Sequence, residues 1–123
     1  KNDNLKAIQA FYDSTAVGGY VVIDFLNVPS VKQGLVADEV VTKCGIQFTL
    51  KRTFEAGWIQ KDISFNDNGV SYTFQERVAA LERADFKLML DAAGFSVQDV
   101  FGDYTLTPFV AETAERLILV ARK

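Results

Sequence analysis

The residues able to do chemistry in this chain are few, and their types exclude as much as they suggest. Its 123 residues include no histidine and a single cysteine, Cys44. A Ser-His-Asp or Cys-His nucleophile cannot be assembled without an imidazole. The usual zinc sites, built from Cys and His, fall for the same reason. What remains is a scatter of carboxylates, amides, cations and phenols. Asp24 stands inside the apolar run Tyr20-Val21-Val22-Ile23-Asp24-Phe25-Leu26, where a carboxylate needs a partner. Strand alternation points it away from Ile23 and Phe25. It either approaches the carboxyl end of the sheet, where open α/β sheets place ligands, or is paired with a backbone amide or Arg116. Asn27 follows directly and suits a cap or turn for the Pro29 segment. Arg52, Trp58 and Lys61 form either a lid that reads an anionic or apolar substrate, or an ordinary wet sheet face with a packed Trp. Asp103, Tyr104 and Pro108 share a loop over 102–112. Loops at this end of a sheet carry function, and a Tyr hydroxyl can orient a substrate nucleophile; the alternative is aromatic packing over the sheet edge. Cys44 is expected to be a small buried hydrophobe. The pairs Glu76/Arg77 and Glu82/Arg83 are expected on the solvated surface.

These residues need elements to hold them. Leu5, Ile8 and Phe11/Tyr12 recur at helical spacing and predict a helix over 3–16, capped by Asp3 or Asn4 and stopped at Gly18-Gly19. The run 20–26 reads as a strand buried on both faces, as in a parallel sheet. Pro29 suits the first turn of a short helix over 29–36. Alternation then takes over: Ile46, Phe48 and Leu50 share one parity, as do Ile59, Ile63 and Phe65, and Val70, Tyr72 and Phe74 share another strand face. This predicts three or four antiparallel strands between about residues 38 and 80. Asn66-Asp67-Asn68-Gly69 marks a hairpin turn and Gly57 another reversal. Phe86, Met89, Leu90 and Ala93 restore the helical period, ended by Gly94. Strands follow over 97–101 and 116–121.

Length and composition bound the class. A chain of 13.7 kDa with 49% hydrophobic and 24% charged residues suits one globular domain and excludes intrinsic disorder. Thirteen basic against 16 acidic residues leave a net charge of −3, which argues against a broad basic face for nucleic acid. No apolar run approaches the ~20 residues of a membrane span. A lone cysteine fits a reducing, cytoplasmic compartment. The start at Lys1 without Met is read as a processed or excised segment of something longer.

The ordered set of segments resembles a known family. Gly18-Gly19-Tyr20-Val21-Val22-Ile23-Asp24-Phe25-Leu26-Asn27 resembles the stretch around the fifth strand of class I S-adenosylmethionine-dependent methyltransferases. Ala84 to Phe95, with its closing Ala93-Gly94-Phe95, resembles the later helix of that family. Val97 to Tyr104 resembles its sixth strand, and Glu115 to Lys123 its closing seventh strand. The resemblance implies an α/β fold: the C-terminal part of a doubly wound methyltransferase-type sheet, fifth to seventh strands, within one domain over 1–123. An antiparallel β insert over 38–80 would act as the substrate-side lid. The closing strand would lie between the other two and run antiparallel, leaving the outer edge of 20–26 open where a fourth strand belongs.

The resemblance also implies what is missing. The family binds S-adenosylmethionine through a Gly-rich loop and an acidic residue in its first half, and this sequence contains no G-x-G. No cofactor-binding, catalytic or metal residue can be carried over, so the cofactor belongs to the full-length parent, and this chain alone should be inactive. Substrate-binding residues are expected at Asn27, which the resemblance places at the rim of the site, Arg52 and Tyr104, with a small-molecule methyl acceptor as partner. An open edge at 20–26 predicts a homodimer or exchange. The rival readings are a free-standing α+β module that encloses an apolar ligand, using its ten Phe, and a dimerisation module.

Overall fold

The computed structural model describes residues 2–123. In chain order the elements are α1 (Asn2–Ser14), β1 (Tyr20–Leu26), α2 (Val28–Gln33), β2 (Asp38–Lys43), β3 (Ile46–Glu55), β4 (Trp58–Asp67), β5 (Val70–Ala79), α3 (Arg83–Ala93), β6 (Ser96–Phe101) and β7 (Arg116–Arg122). They fall into two compact units. One comprises the residues up to Val31 together with Leu81–Lys123, the other Lys32–Ala80.

The first unit is a three-stranded sheet in the order β1-β7-β6 with helices on one face. β7 is antiparallel to both neighbours, so β1 and β6 run parallel to each other. Leu26 opposes Arg116 and Tyr20 opposes Arg122. Alternation sends Leu117, Leu119 and Ala121 to the helical side, where they are buried with Phe86, Leu90 and Ala93 of α3. Phe25 meets Phe86 edge to face at 5.1 Å. Leu90 is fully buried, so truncating it to Ala would cost about 2–5 kcal/mol.

α3 ends in a Schellman turn. Gly94 takes φ 109°, its N–H donates to Asp91 O, and the Phe95 N–H donates to Leu90 O at 2.9 Å. Glycine is needed here for a second reason. A Cβ at Gly94 would stand 2.9 Å from the Tyr12 ring, which packs edge to face on Phe95.

Several expectations are corrected. β1 is not buried on both faces: Tyr20 and Val22 are about 60% exposed. Three strands with helices on one side close one face only. α1 ends at Ser14 rather than 16, and Gly18, at φ 80°, belongs to the turn that follows. A cap by Asp3 or Asn4 does not arise, because both lie inside α1; the residue before Asn2 is outside the described residues. The Pro29 helix begins at Val28 and ends at Gln33, with Asn27 at its start.

The second unit is a four-stranded antiparallel meander, β2-β3-β4-β5. Register places Val41, Phe48, Phe65 and Tyr72 in one row and Leu50, Ile63 and Phe74 in the next. Phe65 stacks on Tyr72 at 5.0 Å and meets Phe48 at 4.9 Å. The three hairpin turns share one design, with positive φ at Cys44-Gly45, Ala56-Gly57 and Asn68-Gly69. That pair of left-handed residues is the turn whose twist matches the flanking strands. Cys44 is therefore an exposed turn residue, not a buried hydrophobe. Trp58 is partly exposed on the wet face, under the Arg77 guanidinium at 4.5 Å.

Candidate functional site

The carboxyl end of β1 gathers the first unit's polar groups. Asp24 points away from the helices, as alternation requires, and is paired at both oxygens. Arg116 Nε donates to its Oδ1 at 3.0 Å and the Tyr104 hydroxyl donates to its Oδ2 at 2.8 Å. The Tyr104 hydrogen bond and the Arg116 guanidinium hold the Asp24 carboxyl below its ordinary value. The same hydrogen bond pushes the Tyr104 phenol up, since ionisation would set two anions against each other. Tyr104 is 71% exposed, so its ring is not packed over the sheet edge. Asp103 organises the loop beneath it. Its Oδ1 accepts from the Thr105 N–H and hydroxyl and from the Thr107 N–H, and these bonds depress its pKa. Pro108 pairs with Phe101 in an isolated bridge.

Asn27 is the one buried polar residue among the described residues. Its Nδ2 donates to Ala111 O and Ala114 O, both at 2.8 Å, and to Ser30 Oγ at 3.2 Å. Three acceptors around one end of the amide fix which end is nitrogen. Asn27 thus ties the β1–α2 junction to the loop that carries Tyr104. Its backbone carbonyl also accepts from Val31 N–H at the start of α2.

Asn27 lines a cleft of about 490 Å³ with Pro29, Glu82, Arg83, Ala84, Lys87, Phe109 and Ala111. That volume suits a small ligand. Arg83 and Lys87 stand four residues apart on α3, which puts both on one helical face. Sequence reading assigned Arg83 to plain surface. The available signal was the i, i+4 cation pair in the first turns of a helix, flanking the stripe that carries Phe86 and Leu90.

Of the expected substrate-binding residues, Asn27 and Tyr104 fall in the first unit and Arg52 in the second. Asn27 and Tyr104 are joined through the loop that follows β6. In the second unit Arg52 donates from Nη1 to Glu39 Oε2 at 2.7 Å and to Val36 O at 3.3 Å. There it lines a depression of about 400 Å³ with Lys43, Lys61, Phe48, Leu50 and Ile63.

No known protein-family profile matches the chain. No curated protein sequence matches it either. Solved structures do. A methyltransferase from Clostridium acetobutylicum, described as S-adenosylmethionine-dependent, superposes with a TM-score of 0.80 at 19% identity, over 98% of this chain and 51% of its own. This is the fold of one portion of an S-adenosylmethionine-dependent methyltransferase. The CcbJ methyltransferase from Streptomyces caelestis matches with a TM-score of 0.74 at 17% identity, over 98% of this chain and 53% of its own. A sugar N-methyltransferase from a Streptoalloteichus species matches with a TM-score of 0.66 at 16% identity, over 97% of this chain and 48% of its own. The chain therefore spans about half the length of the methyltransferases it matches.

Gly94 and Gly102 are closed off by Tyr12 and Ala114, and Gly45, Gly57 and Gly69 are hairpin-turn residues of the second unit. Among the described residues no cluster of metal-ligating side chains occurs, and no helix is long and apolar enough to cross a membrane.

Proposed function

We propose that this chain is the C-terminal, acceptor-side portion of an S-adenosylmethionine-dependent methyltransferase that acts on a small molecule. The observation that carries the reading is the match at a TM-score of 0.80 over 98% of this chain and half of its neighbour. Methyl transfer from a sulfonium asks the protein chiefly for alignment, so a chain without histidine is not at a disadvantage. The share of this chain is to bind and orient the acceptor. The cleft lined by Asn27 takes the acceptor, and Asn27 holds the loop bearing Tyr104 in place. The Tyr104 hydroxyl, poised on Asp24, orients the acceptor's nucleophilic group. Arg52 and the rest of the β insert contribute to acceptor selection. A small acceptor is supported by the sugar N-methyltransferase among the neighbours. The exposed free thiol of Cys44 fits a reducing, cytoplasmic setting.

A titration tests the partition. S-adenosylhomocysteine is added to this chain and followed by calorimetry and amide chemical shifts. No saturable binding is expected, whereas a form of the protein extended upstream should bind. Saturable micromolar binding to this chain alone overturns the partition.

A further inference from the structure

We infer that the cleft at the carboxyl end of β1 is built for an acceptor that carries an acid group, a carboxylate or a phosphate. The inference rests on the acceptor-side reading and adds the charge of the substrate. Two cations and one acid line the cleft, Arg83 and Lys87 against Glu82. Lys87 is already shared with Asp91, at 2.6 Å. Arg83 has no carboxylate within ion-pair distance among the described residues. It lies instead over the Phe109 ring, 5.9 Å from its centre, with its donor fork unclaimed. A guanidinium in that state matches a planar or tetrahedral oxyanion through paired N–H donors.

Asn27 is a fixed part of the same lining: it is buried, and its Nδ2 is held by Ala111 O, Ala114 O and Ser30 Oγ. Pro29, Phe109, Ala84 and Ala111 give the rest of the wall an apolar character that suits a compact ring. The cleft thus combines an anion-binding fork with an apolar body.

The test uses the chain as it stands, with glucose 1-phosphate, glucuronate and glucose as probes and backbone amide shifts as readout. Expected is saturable movement of the amides of residues 27–30, 82–87 and 109–111 with both acids, with glucose at least about tenfold weaker. Arg83→Gln should weaken both acids about tenfold, and added salt should weaken them further. Movement by one acid alone identifies the oxyanion and supports the inference. Glucose binding as well as the acids, acids binding the Arg83→Gln variant undiminished, or no movement of these amides with any probe overturns it. Failure of the underlying reading shows separately, as saturable binding of S-adenosylhomocysteine to the same chain.

Discussion

At the scale of single residues, the Asp24–Tyr104–Arg116 cluster shows how a carboxylate survives in an apolar strand. Alternation sends Asp24 to the uncovered face, where Arg116, opposite Leu26, reaches it from β7. The composition of the run 20–26 could not distinguish the two outcomes, because a buried strand and a half-covered one read alike. The arrangement sets a pH dependence. The folded pKa of Asp24 is depressed, so the cluster's contribution is present above the unfolded carboxylate value and lost as pH falls through the folded one. Urea midpoints of the native chain and Asp24→Asn should differ near neutrality and converge in acid, as pH falls through the depressed Asp24 value. A gap that persists or widens in acid contradicts this account.

At the scale of elements, the second unit rests on a repeated turn. Asn68-Gly69 was legible at once, because Asn tolerates the left-handed region and glycine is free in it. Cys44 and Ala56 take the same conformation, at φ 52° each, without side chains that favour it. Their strand registers require it. Ala56 has little to offset the crowding of its Cβ there. Ala56→Asn should therefore stabilise the chain by roughly 0.5–1 kcal/mol, read as a higher urea midpoint at unchanged slope. Loss of stability would mean that the turn is held by something other than local geometry. The mispredicted burial of Cys44 has the same origin: its place in the turn depends on which strands pair, and Cys alone says only that the residue is small and apolar.

At the scale of the whole molecule, β1 is paired on one side only among the described residues. Its other edge presents unsatisfied N–H and C=O groups, beside the exposed faces of Tyr20 and Val22. Such an edge is a template for another strand. The chain on its own is expected to self-associate with rising concentration in sedimentation equilibrium. Val22→Lys should shift the distribution toward monomer, since charge on an edge strand opposes pairing. A compact monomer at all concentrations would show that the edge is protected.

The sequence alone determined the elements and their order, because hydrophobic period, glycine stops and turn dipeptides are local signals. By composition it also left no imidazole for a Ser-His-Asp or Cys-His site and no residues for the usual Cys/His zinc sites. Ala-Gly-Phe and the closing Arg-Leu-Ile-Leu-Val-Ala run carried the likeness to methyltransferases, which the solved structures bear out as fold. Tertiary structure alone decided which residues meet. Asn27, Arg83 and Phe109 are separated by 56 and 26 positions, and only the packing of α2, α3 and the loop after β6 brings them to one cleft. Tyr104 finds Asp24 across 80 residues for the same reason. A site is a set of long-range contacts, and a sequence pattern with a period of two or four cannot encode them.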